Sequence, residues 1–231
     1  MTSYVLIPGA DGRAWYWHRV LPELRARGHD MIAVDLPVAD KSAGLSEVAD
    51  AIVHAIGERR QSILVAQSLA GFTAPLACER VPVKLLVLLN AMVPSPGESA
   101  GEWWTNTCHA QARVGYGEFD VLKDFFHDVP PEVTAEAMAG GVSEPSETLF
   151  SQPWPLERWP NVPTRFLQSR DDRFFPVEFQ RRVVRQRLGI TLDEMPGGHL
   201  VALSRPTELV ERLEMYRQDV EHVEQDQVAP G

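Results

Sequence analysis

The feature that most restricts this chain is a rhythm. Short, almost wholly apolar runs alternate with segments whose apolar residues recur at helical spacing. Tyr4–Ile7, Met31–Leu36, Ser62–Ala66, Val83–Leu89, Thr164–Gln168 and Ile190–Met195 read as strands. Val83–Leu89 is apolar except for Lys84, the pattern of a strand covered on both faces. Between these runs, Trp17, Val20, Leu21 and Leu24 fall on one helical face, and Gly28 closes that helix. Val48, Ile52, Ala55 and Ile56 mark a second helix, with Ser46 as its expected N-cap. Leu69, Phe72 and Leu76 mark a third, Pro176–Leu188 a fourth with Phe179 and Val183 inward, and Leu209, Leu213, Tyr216 and Val220 a last. Strand and helix in alternation predict an α/β protein, a mostly parallel sheet of about six strands with helices on both faces.

The rhythm breaks between Pro94 and Pro160, where prolines, short helical pieces and Trp103, Trp104, Trp154 and Trp159 gather. That stretch is too long for a connecting loop. The expected organisation is a core of residues 1–93 and 161–222, a small inserted helical cap at 94–160, and a disordered polar tail at 223–231. The 231 residues fit one compact domain. The net charge of −10, with no basic run, argues against a nucleic-acid partner. Cys78 and Cys108 stand far from any CxxC spacing, so neither a disulfide framework nor a metal site is expected, and Cys78 reads as core packing. No apolar run nears the roughly 18 residues of a membrane span. The amino terminus has no basic n-region, so a cytoplasmic location without a membrane partner is expected. A homodimer is left open.

In open α/β sheets, reactive groups gather at the carboxyl ends of strands. Ser68 stands there in Val65-Ala66-Gln67-Ser68-Leu69-Ala70-Gly71, between a strand and a helix. Alanines two residues before and after it suit a sharp turn, which brings backbone segments close together. Such a turn exposes the hydroxyl and aims the helix N-terminus at it. Pro8-Gly9-Ala10-Asp11-Gly12 follows the first strand, Asp172 follows the fifth, and His199 follows the last in Pro196-Gly197-Gly198-His199. A serine hydroxyl is a poor nucleophile until a base takes its proton, and a carboxylate fixes that base's tautomer. Ser68, His199 and Asp172 supply those three groups. The N–H groups of Ala10 and Leu69 are the candidate oxyanion donors.

Leu6-Ile7-Pro8-Gly9-Ala10-Asp11-Gly12-Arg13-Ala14-Trp15-Tyr16-Trp17 resembles the opening of the plant methylesterase and hydroxynitrile lyase branch of α/β-hydrolases. Gly28-His29, Val34-Asp35-Leu36, the serine turn, Asp172-x-x-x-Pro176-x-x-Phe179-Gln180 and the terminal Gly-x-His are also similar. The resemblance covers nearly the whole chain except the expected cap. It implies the α/β-hydrolase fold, a cofactor-free enzyme, and Asp172 rather than Asp171 as the acid, four residues before the proline. Two departures stand out. Pro8 replaces the usual histidine before the glycine. Gly9 and Leu200 stand where lyases of the branch carry a threonine and a lysine, which favours hydrolysis.

The expectation is therefore a serine hydrolase of a small to medium carboxylic ester, thioester or lactone, acting through an acyl-enzyme on Ser68. Two alternatives keep the fold: a lyase or cyclase with His199 as base, and a non-catalytic small-molecule receptor. Trp15, Trp103, Trp104 and His109 are the candidate pocket residues, although cap tryptophans more often pack than bind, and a packing role for His109 stands ahead of a substrate-facing one. Ser68 taken alone reads equally as an N-cap or as a nucleophile, and Asp172 and His199 in register favour the second. Asp171 reads as a solvated neighbour, Asp35 as a turn residue, and Asp11 as a group at the site mouth or a helix cap. His18, His29, His54, His127 and His222 read as surface or half-buried side chains.

Overall fold

The computed structural model describes residues 2–141 and 143–228, with side chains described through His222. Among these residues, six strands form one sheet, all paired in parallel, in the order β2-β1-β3-β4-β5-β6. They are β1 (Ser3–Ile7), β2 (Asp30–Ala33), β3 (Ser62–Gln67), β4 (Val83–Leu89), β5 (Thr164–Ser169) and β6 (Asp193–Met195). The helices are α1 (Val20–Ala26), α2 (Leu45–Ile56), α3 (Ala74–Cys78), α4 (Ala100–Asn106), α5 (His109–Ala112), α6 (Val121–Asp124), α7 (Pro131–Ala139), α8 (Glu147–Ser151), α9 (Val177–Leu188), α10 (Val201–Ser204) and α11 (Pro206–Val228).

Side chains alternate across a strand, and here both sets are apolar. Tyr4, Leu6, Ile63, Val65, Leu85 and Val87 join Val20 and Leu24 of α1 and Leu209 and Leu213 of α11 in one core. Val5, Ile7, Leu64, Leu86 and Leu88 join Val48 and Ile52 of α2 and Phe179 and Val183 of α9 in the other. A sheet buried on both faces presents its strand ends as the place where polar groups can gather.

Several elements differ from the sequence reading. β2 ends at Ala33 rather than Leu36 because Leu36 N–H turns away to Gly12 O at 2.8 Å, drawing the chain out of the sheet. The N-cap of α2 is Gly44, not Ser46: the Glu47 carboxylate reaches back to Gly44 N–H at 2.9 Å, while exposed Ser46 meets Arg80. The segment after Ser68 is a 3-10 turn (Ser68–Gly71) followed by α3, not one helix. Pro75, at the start of α3, has no N–H to continue a ladder from the preceding turn. β6 is shorter than Ile190–Met195. Of the tail at 223–231, the backbone to Val228 continues α11 and the rest lies outside the described residues. Among the described residues, no helix is long and apolar enough to cross a membrane.

Candidate active site

β3 delivers Ser68 to the rim of the sheet. The serine adopts φ +53°, a left-handed conformation that costs an L-residue roughly 1–3 kcal/mol and persists only where its surroundings enforce it. Two neighbours do so. Met92 N–H donates to Ser68 O at 3.0 Å, and Gly71 packs so tightly that a Cβ there would overlap the Met92 carbonyl. Ala66 and Ala70 are buried beside the turn.

His199 Nε2 lies 3.1 Å from Ser68 Oγ, and His199 Nδ1 lies 2.8 Å from Asp172 Oδ2. Asp172 is 1% exposed. Its other oxygen accepts from Phe174 N–H and Phe175 N–H, both at 2.8 Å, and Gln168 Nε2 donates to Oδ2 at 3.3 Å. These donors satisfy both oxygens of the buried carboxylate and hold its orientation. That fixes the imidazole tautomer: Nδ1 carries the proton donated to Asp172, and Nε2 accepts from the serine hydroxyl. The ring is held in place by apolar neighbours. Phe125 stacks on it at 4.8 Å, and Phe174 and Phe175 approach edge-on at 5.2 Å.

Four further side chains, each missed or given a lesser part by the sequence reading, build this arrangement. Asn90 ends β4 at φ +45° and is fully buried. Its Nδ2 donates to Gly198 O, His199 O and Ser169 Oγ at 3.2, 3.1 and 3.0 Å, and its Oδ1 accepts from Ser169 N–H at 2.7 Å. A polar residue directly after an apolar strand was the available signal. Asp171 is exposed, yet more than a solvated neighbour: it accepts from Gly197 N–H at 3.0 Å, and its own N–H donates to Gly197 O. Asp128 takes Gly198 N–H at 2.7 Å. Gln67, directly before Ser68, brings Nε2 to 3.3 Å from His199 Nε2. Gly9 makes room for it, since a Cβ there would collide with Gln67 Oε1 and lie 2.9 Å from Ser68 Cβ.

A cavity of about 180 Å³ opens beside Ser68 and His199. Its wall is mainly apolar, with Trp15, Tyr16, Val121, Phe125, Met138 and Leu200 among the lining side chains. Ala10 also lines it, and among the described residues neither the Ala10 nor the Leu69 N–H has a hydrogen-bond acceptor. Asp11 sits in the wall, pairs with Arg13 at 2.6 Å and accepts from Ser143 N–H at 3.0 Å. Asp35 does not close its own turn: its carboxylate accepts from Ala14 N–H at 2.7 Å, at the start of the 3-10 turn Ala14–Trp17.

Of the expected pocket residues, Trp15 lines the cavity, while Trp103, Trp104 and His109 do not. Trp103 is fully buried, with Nε1 donating to Val93 O at 3.0 Å. Trp104 packs edge-on against it at 5.2 Å. His109 Nε2 meets Phe174 O at 2.7 Å, and burial holds its imidazole below its ordinary proton affinity. The three form an aromatic layer behind the Phe174–Phe175 pair, one step removed from the reacting groups. Among the described residues, no three His, Cys, Asp or Glu side chains gather as a metal ion would require.

Residues 4–212 match the model of the alpha/beta hydrolase family. The probable esterase PIR7A of Oryza sativa is 28% identical, over 91% of this chain and 94% of that protein. A pyrethroid hydrolase of Sphingobium wenxiniae is 27% identical, over 92% of this chain and 86% of its own length. Among solved structures, polyneuridine aldehyde esterase superposes with a TM-score of 0.76 at 22% identity, covering 94% of this chain and 99% of the other. The protein of that name from Rauvolfia serpentina is 26% identical, over 89% of this chain and 92% of its own. With a parallel sheet of this order, and a family match running from the first strand into the last helix, this chain belongs to the alpha/beta hydrolase family.

Proposed function

We propose that the protein is a cofactor-free serine hydrolase of small to medium carboxylic esters, thioesters or lactones, with Ser68, His199 and Asp172 as its triad. One observation carries the reading: an unbroken line of hydrogen bonds from Asp172 through His199 to Ser68 ends at the wall of an apolar cavity. As Ser68 Oγ attacks the substrate carbonyl, its proton passes to His199 Nε2, and Asp172 stabilises the imidazolium. The tetrahedral oxyanion rests on the Ala10 and Leu69 N–H groups, which have no acceptor among the described residues. His199 then protonates the leaving alkoxide or thiolate. Water, deprotonated by His199, attacks the acyl-enzyme, and His199 passes that proton to Ser68 Oγ as the carboxylic acid leaves.

The cavity suits a compact acyl or alkoxy group, and its mainly apolar wall disfavours a charged one. In this reading residues 94–160 form a cap, for Val121 and Phe125 around α6 and Ala137 and Met138 around α7 help to enclose the substrate. The names of the relatives, polyneuridine aldehyde esterase and a pyrethroid hydrolase among them, point to the same reaction class.

The test is labelling with a fluorophosphonate probe alongside turnover of p-nitrophenyl butyrate. The wild type is labelled at Ser68 and hydrolyses the ester, and Ser68→Ala does neither. Ester turnover surviving in Ser68→Ala refutes the assignment, and tight ligand binding without turnover in the wild type favours a receptor.

A further inference from the structure

Two successive amides on the loop before His199 each end on a carboxylate. Gly197 N–H donates to Asp171, from the loop after β5, and Gly198 N–H donates to Asp128, from the inserted stretch beyond α6. The packing is built for this. A Cβ at Gly198 would lie 2.6 Å from Asp128 Oδ1 and 2.7 Å from His127 Nε2, so only glycine allows the approach. His127 Nε2 in turn meets Asp171 O at 3.0 Å, so neighbouring side chains of the insertion grip both loops that carry the base and its acid. Asp128 Oδ1 is buried and, among the described residues, has no hydrogen-bond partner. A carboxylate held in that state by one amide is an unfavourable way merely to fill space.

We propose that Asp128 is a positioning residue for His199, fixing the Gly197-Gly198 loop so that the imidazole points at Ser68. The proposal rests on the hydrolase reading. It makes the inserted stretch part of the base's support, not only a cover for the cavity. Phe125, three residues before Asp128, stacks on the His199 ring, so a group seated in the cavity and the alignment of the base bear on one segment.

Full-length Asp128→Ala and Asp128→Asn are assayed with p-nitrophenyl butyrate and with the fluorophosphonate probe. In Asp128→Ala, kcat falls about 10²-fold, the loss expected of a small misplacement of a reacting group, while KM stays within about twofold. Asp128→Asn, whose amide oxygen still accepts from Gly198, recovers most of the loss. The labelling rate of Ser68 falls and recovers in the same order, since labelling needs the base but little of the cavity. Asp128→Ser, polar but too short to reach Gly198, takes the place of the alanine variant if that one does not fold. A raised KM with kcat intact, or an asparagine variant no better than the truncated one, overturns the proposal. A wild type that takes no label and hydrolyses no ester defeats the hydrolase reading and this inference together. A labelled wild type with an equally fast truncated variant defeats this inference alone.

Discussion

The rim of the sheet and the stretch between β4 and β5 are held together by different kinds of tie. At the rim, partners are far apart along the chain: Ser68 with His199, Asp172 with His199, Asn90 with Gly198. In the insertion, many are three residues apart. Ser99 and Glu102 cap α4 reciprocally, Asp120 caps α6 through Lys123 N–H, and Ser146 caps α8 through Leu149 N–H. The insertion also leaves Val114, Leu122 and Met138 exposed, whereas the rim groups Ser68, Asp172 and His199 are buried. Long-range ties make a position rigid and intolerant of change. Local ties let the helices of a segment form by their own rules, while a few distant contacts, such as Asp128 with Gly198 and Ser146 with Ala43, fasten that segment to the core.

If that contrast is sound, substitutions should sort by region. The largest loss falls on the rim: Ser68→Ala and Asp172→Asn each lower kcat by about 10⁴-fold or more. Circular dichroism and the thermal midpoint should show a retained fold in both. Next comes Gly71→Ala, whose new Cβ meets the Met92 carbonyl. It costs about 1–3 kcal/mol by overpacking, read as a lowered urea midpoint at unchanged slope. Turnover falls with it, because Met92 N–H supports Ser68.

In the insertion, Met138→Ala, at a half-exposed position in the cavity wall, leaves stability within about 0.5 kcal/mol. Its effect appears in KM for esters with longer acyl chains, and a large drop in the unfolding midpoint would break the contrast. The smallest effect concerns His109. Burial lowers its proton affinity below the ordinary value near 6.5, so the folded state favours the neutral ring. Its contribution to stability is complete above pH 6.5 and declines as pH falls below it, because the unfolded chain then binds the proton more readily. His109→Gln should therefore flatten the decline in thermal midpoint below pH 6.5, measured against the wild type.

Much of this architecture was legible. Apolar runs bounded by glycine or proline gave the strands, and functional motifs at strand ends converge because a parallel sheet places all its carboxyl ends on one side. Other features were hidden for physical reasons. Gly44 caps α2 with no side chain of its own, relying on Glu47, so a search for a capping hydroxyl settles on Ser46. The tryptophans of the insertion suggest a pocket by composition alone, yet an indole N–H needs an acceptor. Trp103 and Trp154 find theirs in the carbonyls of Val93 and Phe72, which ties them into the wall. Asp128 and Gln67 were missed because what they do depends on loops distant in the chain.

Asn90 carries a last consequence. One amide joins the end of β4, the end of β5 and the histidine loop, all inside the protein. Its bonds belong to the scaffold and to the reaction centre alike, so the two should fail in concert. Residual turnover in partial denaturant then serves as a gauge of the intact population, with inactivation and loss of sheet signal tracing one curve.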